Sequence, residues 1–261
     1  AVFGQNSEFY GYSSPSSAQL VPAPAQENTK KDYIVPNFKG RELVQNPVIN
    51  QHQPDWVWQQ HQKSNKTASA TLLWQVQGIG NGISPPDPTG EADSTVYIQG
   101  TNANSGGSFK IFNKQTGAAV SGTLVMSSIG SPTVTGLGDP IILYYKSAKR
   151  WIITQFSTTA QKKLLVYVSQ TSNPQGAYYF YQFTCPNFPD YPKWSISESS
   201  DALLASTNEG GPPRVYAMKL SALINGSTSP FFGTAIGYSL NGFGFQSITP
   251  VDLEGDLPAP V

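Results

Sequence analysis

Gly138-Asp139-Pro140-Ile141-Ile142-Leu143-Tyr144-Tyr145, Trp151-Ile152-Ile153-Thr154-Gln155-Phe156, Lys163-Leu164-Leu165-Val166-Tyr167-Val168-Ser169 and Ala177-Tyr178-Tyr179-Phe180-Tyr181-Gln182-Phe183 are four short apolar runs in close succession. Each is rich in β-branched and aromatic residues and too short for an amphipathic helix, so each predicts a strand. The breaks between them are legible as turns: Lys146 to Arg150, and Ser172-Asn173-Pro174-Gln175-Gly176. Working outward, the same texture holds at Val96 to Gly100, Ser108 to Asn113, Ala202 to Thr207 and Arg214 to Lys219, with turns at Asn113-Lys114-Gln115-Thr116-Gly117 and Glu209-Gly210-Gly211-Pro212-Pro213. Short strands joined by tight turns at even spacing predict an all-β fold, a sandwich or a propeller. A helical-looking piece around Met218 to Ile224 is too short to change that class.

Residues 1 to about 70 read differently. Ser13-Ser14-Pro15-Ser16-Ser17, Val21-Pro22-Ala23-Pro24 and a Gln/Asn/His-rich stretch from Gln45 to Gln62 show neither a two-residue nor a 3.6-residue period. We read residues 1–70 as an extended low-complexity arm or linker, and residues 71–261 as the folded part. Phe9, Tyr10, Tyr33, Ile34, Phe38, Trp56 and Trp58 are anchors by which parts of the arm can lie along a folded surface.

Composition removes several function classes. Lys+Arg and Asp+Glu balance at 16 each, so no excess cation is present to gather nucleic acid or an anionic membrane. No stretch approaches the ~20 apolar residues of a membrane helix. Charged residues make up 12% of the chain, about half the usual share, beside 24 Gly, 21 Pro and 13 Tyr, the profile of an extracytoplasmic β protein. The single Cys185 allows neither an internal disulfide nor a cysteine-based zinc site, and reads as an inert small hydrophobe.

Four segments in order carry a family resemblance. Ile83-Ser84-Pro85-Pro86-Asp87-Pro88-Thr89-Gly90-Glu91 is followed by Tyr97-Ile98-Gln99 and Phe112-Asn113-Lys114-Gln115-Thr116-Gly117. Gly138-Asp139-Pro140 leads into Lys149-Arg150-Trp151; Val168 to Tyr178 leads into Phe188-Pro189-Asp190-Tyr191-Pro192-Lys193; Gln246 to Gly255 ends in Pro250-Val251-Asp252-Leu253-Glu254-Gly255. Together they resemble the β-propeller domains of secreted and surface proteins of Bacteroidota-type bacteria, which are often type IX secretion cargo. Ser169-x-Thr171-x-Asn173-Pro174-x-Gly176-x-Tyr178 is similar to the aspartate-box hairpins of propellers, with Asn173 where Asp is usual. At about forty residues per blade the chain holds three to four blades. A ring needs at least four, so it is incomplete here and its remainder belongs to a longer polypeptide or to another chain.

The resemblance implies an extracellular or outer-surface module for adhesion, ligand or protein binding, without catalysis. One alternative is a polysaccharide-active enzyme whose site missing blades complete, with Asp87, Glu91, Asp139, Asp190 and Asp252 as candidate carboxylates. Another is a structural subunit of a cell-envelope assembly. No cofactor is expected beyond a candidate calcium site at Asp87, Glu91 and Asp93, where oxygen ligands cluster about a turn. Arg150 and Trp151 are candidate binding residues, an exposed cation and sugar-stacking ring, although Trp151 also begins an apolar strand. Asp93-Ser94-Thr95 resembles the short O-glycosylation signal of Bacteroidota, with Ser94 the acceptor. His52 and His61 sit in the arm, and their spacing with Asp55 gives no geometric warrant for a metal site. Expected partners are a protein or glycan at the cell surface, and the N-terminal arm is a candidate for docking on another chain.

Overall fold

The computed structural model describes residues 7–18, 72, 74–80, 82–104, 106–130, 133–237 and 247–252. Among the described residues the fold is all-β, built from antiparallel strands with one five-residue α-helix, α1 (Leu220–Ile224), and a short 3-10 turn at Met126–Ser128. Sheet 1 comprises β3 (Thr89–Ala92), β4 (Val96–Ala103), β5 (Gly106–Asn113) and β6 (Leu124–Val125). Sheet 2 comprises β7 (Gly136–Tyr145), β8 (Arg150–Ser157), β9 (Lys163–Ser169) and β10 (Tyr178–Thr184). Sheet 3 comprises β11 (Asp190–Ser197), β12 (Ala202–Asn208), β13 (Arg214–Lys219) and β14 (Ser229–Ala235). Each is a meander in which sequence neighbours pair, so every connection is local.

Residues 8–18, expected within an unpatterned arm, supply two more strands. β1 (Glu8–Ser13) adds to β14 at the outer edge of sheet 3, and β2 (Ser16–Ala18) adds to β10 at the outer edge of sheet 2. The anchors Tyr33, Ile34, Phe38, Trp56 and Trp58, like His52, Asp55 and His61, lie outside the described residues.

Sheet 2 is the middle layer, and its sequence explains why. Along β9, Leu164, Val166 and Val168 enter the core shared with sheet 3, while Leu165 and Tyr167 enter the core shared with sheet 1. On β8, Ile152 faces sheet 3 and Trp151 and Ile153 face sheet 1. A strand buried on both faces reads as a continuous apolar run rather than an alternating one, which is the texture of residues 141–183. The partners are Trp194, Ile196, Leu203 and Tyr216 on one side and Ile98, Phe109, Ile111 and Met126 on the other.

Polar side chains close the turns. Asn113 Oδ1 accepts from the amides of Gln115 at 2.9 Å and Thr116 at 3.0 Å, and Gly117 takes φ +72° to end that turn. In the β9–β10 hairpin, Asn173 Oδ1 accepts from Gln175 N at 3.0 Å and Ser169 Oγ donates to Thr171 O at 2.7 Å. The fully buried Tyr178 closes it, donating to Pro174 O at 2.7 Å while its ring packs toward sheet 1.

Flanking segments lie over the outer faces. Trp74 Nε1 donates to Lys114 O at 2.8 Å and Ile79 N to Gln99 Oε1 at 2.9 Å on sheet 1. On sheet 3, Ser206 Oγ donates to Ile248 O and Ile196 N to Asp252 Oδ1 at 3.1 Å.

Candidate functional site

The first strand of each meander is entered through an aspartate. Asp87 precedes β3, Asp139 lies in β7 and Asp190 opens β11, at intervals of 52 and 51 residues. The repeat is therefore longer than the forty residues expected from the sequence. Asp87 and Asp139 sit at φ +37° and +48°, and Tyr191, beside Asp190, at +50°. These are left-handed backbone positions that a non-glycine residue seldom takes, and such positions concentrate at functional sites.

The three carboxyls converge. Asn102 ties two of them together from β4: its Nδ2 donates to Asp87 Oδ2 at 2.7 Å and to Pro85 O at 3.0 Å, and its Oδ1 accepts from Asp139 N at 2.7 Å. Asp139 hydrogen-bonds the Asp87 carboxyl, and Asp190 and Lys193 lie within electrostatic reach. Burial, reinforced by the charges of Asp87 and Asp190, pushes the Asp139 carboxyl up to about 7. Burial also raises Asp190, which keeps one compensating bond from Tyr191 N at 3.0 Å. Lys193 is lowered by its own burial, against the pull of the three aspartates. Burial outweighs pairing at both Asp139 and Lys193, so both are moved toward their neutral forms.

One aromatic face completes the cluster. The Lys193 ammonium lies 3.3 Å from the centroid of the Tyr191 ring, and Tyr191 is 39% exposed. The arrangement offers carboxyl acceptors, one carboxyl raised toward neutral pH, an amine and an exposed ring. That set can receive hydroxyl groups and stack on an apolar ring face.

The residues singled out from sequence are distributed otherwise. Asp87 belongs to this cluster, but Glu91 Oε1 accepts from Ala92 N at 2.8 Å. Asp93 Oδ1 closes its own turn, accepting from Thr95 N at 2.6 Å, Thr95 Oγ1 at 2.9 Å and Val96 N at 2.7 Å. Among the described residues no group of three His, Cys, Asp or Glu is placed to hold a metal ion, and Asp87, Glu91 and Asp93 do not form one. Ser94 is exposed at the tip of that turn.

Arg150 is half-buried and donates through Nη1 to Ala148 O at 3.0 Å and to Lys149 O at 3.3 Å. Trp151 is 0% exposed, packs 4.7 Å from Tyr144 and donates to Ser172 O at 3.3 Å. It presents no face to solvent, which corrects its reading as a stacking platform; the apolar strand it begins carries it inward. Of the candidate catalytic carboxylates, Asp87 and Asp139 are in contact and Asp190 lies within electrostatic reach of both, whereas Asp252 accepts from Ile196 N and Glu91 stays local.

Sequence reasoning missed Asn102, Lys193 and Tyr191 as parts of the site. The available signal was the near-equal spacing of the three strand-entry aspartates. Comparison of the chain with protein-family models, with curated proteins and with solved structures finds no match.

Proposed function

We propose that the chain is part of a β-propeller, secreted or displayed at the outer cell surface, that serves as a non-catalytic adhesion or ligand-binding module. The convergence of Asp87, Asp139 and Asp190 from three successive meanders carries this reading. Strands that enter a common centre at a regular interval are what stacking about an axis produces, and the centre of a propeller is where its blades present side chains to a ligand. Further blades, from the same polypeptide or another chain, would extend the stack beyond sheets 1 and 3 and the flanking segments that cover them. The segmental resemblance to surface propellers of Bacteroidota-type bacteria, with type IX secretion as the export route, supports the location.

The chemistry of the cluster favours a hydroxyl-rich ligand, with the carboxyls accepting from hydroxyls and Tyr191 stacking on a sugar ring. A glycan array probed with the full-length protein tests this. Binding of defined glycans that falls at least tenfold in both Tyr191→Ala and Asp190→Asn, with the folded state retained, is the expected result. Binding indifferent to both substitutions removes the site from the proposal.

A second reading has one feature in its favour: burial and the neighbouring Asp87 and Asp190 carboxyls raise Asp139 toward the range of a general acid for glycoside cleavage. Release of reducing ends from a bound polysaccharide, abolished by Asp139→Asn, would move the protein into that class.

A further inference from the structure

Residues 8–18 reach the body of the fold as an extended peptide ligand would. β1 pairs with β14 from Glu8↔Gly233 to Ser13↔Ser229, and β2 pairs with β10 from Ser16↔Phe180 to Ala18↔Tyr178. Between the two strands the segment crosses from sheet 3 to sheet 2. Ser13 is buried there and its hydroxyl accepts from Gln182 N at 3.1 Å, while Ser14 Oγ meets Thr228 Oγ1 at 2.8 Å.

Two aromatics hold the register, Phe9 against Phe232 at 5.3 Å on the outer face and Tyr10 on the inner. The pairing shifts between Phe9 and Gly11, so Tyr10 is the extra residue of a bulge, and Gly11 takes φ +130°. The bulge turns Tyr10 inward, against Tyr216 at 6.0 Å and Phe231 at 5.8 Å. Its hydroxyl accepts from Arg214 Nη1 at 2.6 Å, and Arg214 is itself paired through Nε with the Glu209 carboxylate at 3.5 Å. Phe9 and Tyr12 are left on the outward face, 50% and 71% exposed. Main-chain pairing on open sheet edges, one aromatic in a pocket and hydroxyl contacts between make up the strand-addition mode of peptide recognition.

None of these contacts is covalent, and residues 19–88 connect the segment to sheet 1, which is neither of the sheets it joins. We propose that the edges of β10 and β14, with the Tyr10 pocket and Arg214 between them, form a strand-accepting interface that takes residues 8–18 of a second copy, linking chains by exchange of their N-terminal strands. The contacts are identical whichever copy supplies the segment, so concentration decides. A chain's own segment competes at a fixed effective concentration whereas a second copy's rises with protein concentration, and exchange therefore grows as copies crowd.

The test uses two full-length chains, one Phe9→Cys and the other Phe232→Cys. The two positions are directly paired across β1 and β14, whereas the natural Cys185 is buried. The chains are mixed in denaturant, refolded together at rising concentration and oxidised. A disulfide-linked heterodimer whose yield climbs with protein concentration is expected, exceeding a Phe9→Cys with Lys219→Cys control, since Lys219 is exposed but unpaired with β1. Tyr10→Ala in the Phe9→Cys chain is expected to lower the yield about tenfold, the effect of losing roughly 1.4 kcal/mol of anchoring. A yield no higher than the control at every concentration, or one indifferent to Tyr10→Ala, overturns the proposal. A Ser17→Cys with Tyr179→Cys pair repeats the test on the β2–β10 edge, where those residues face each other.

Discussion

Asp139 is surrounded by three circumstances that resist its ionisation: burial, the Asp87 carboxyl to which it is hydrogen-bonded, and the charge of Asp190. In an unfolded chain the group releases its proton near 3.8, and in the fold it does so near 7. Between those values the native state holds a proton that the unfolded state has lost, so the contribution of this group to stability is fully present below about pH 4 and is lost as pH rises through 7. Asp139→Asn removes that dependence. The variant should match the parent protein in urea denaturation near pH 4 and exceed it by on the order of 1–3 kcal/mol at pH 8. Parallel pH profiles for the two proteins would contradict the arrangement. Trp151 gives a prediction of a different kind: its ring is enclosed between sheets 1 and 2, so Trp151→Ala should cost about 3–5 kcal/mol in the same measurement. Both residues were named from the sequence, and neither role could be settled there. Trp151 stands beside an arginine in a motif that suits a surface pair equally well, and only its enclosure by Tyr144 and Ser172 decides against one. For Asp139, the spacing to Asp87 and Asp190 was visible, but the convergence depends on how three sheets stack, which no local pattern encodes.

Among the elements, those with uninterrupted apolar runs were legible almost to their ends. Lys163–Ser169 and Arg214–Lys219 form strands over the whole span expected, and the β7–β10 meander follows its runs and turns closely. The strands that escaped notice share a different chemistry. β11 contains Tyr191-Pro192-Lys193 and two buried serines, and its pairing slips between Asp190 and Lys193, so the proline falls at an irregularity that spares the ladder an absent donor. β14 carries Pro230 and Gly233, and β1 carries Gly11; each residue weakens a strand signal while serving the particular strand it occupies. The helix expected from Met218 begins at Leu220 instead, because Met218 pairs with Leu203 and Phe231 and is held in β13. Gly11 offers the cleanest test of such a residue. No atom lies within 4 Å of a methyl group added there, so Gly11→Ala introduces only backbone strain at φ +130°. A loss of about 1–2 kcal/mol is expected, confined to the strand addition. Hydrogen exchange should quicken at residues 8–13 and along β14 while the amides of sheet 1 keep their protection. Uniform loss across all three sheets would mean that β1 is integral to the global transition rather than an added edge.

For the molecule as a whole, the governing fact is that sheet 2 belongs to two cores. Leu164 and Leu165 are adjacent in sequence yet lie on opposite faces, the first in the core shared with sheet 3 and the second in the core shared with sheet 1. Because both faces of one sheet are buried, neither core can dissolve without baring an apolar surface of the layer that holds the other. Leu164→Ala and Leu165→Ala should each lower stability by about 2–5 kcal/mol, the cost of lost burial plus the cavity left behind. More informative than the size is the shape of the transition. If the three sheets unfold as one unit, each variant shifts a single calorimetric transition to lower temperature and keeps the calorimetric and van't Hoff enthalpies equal. If the cores are separable, Leu164→Ala splits the transition and lowers only the part belonging to sheets 2 and 3, leaving the sheet 1 core near its original midpoint. Shared burial in sheet 2 predicts the single transition, since the free energy stored on its two faces is released together. A biphasic Leu164→Ala scan would show that the meanders are stacked but energetically independent.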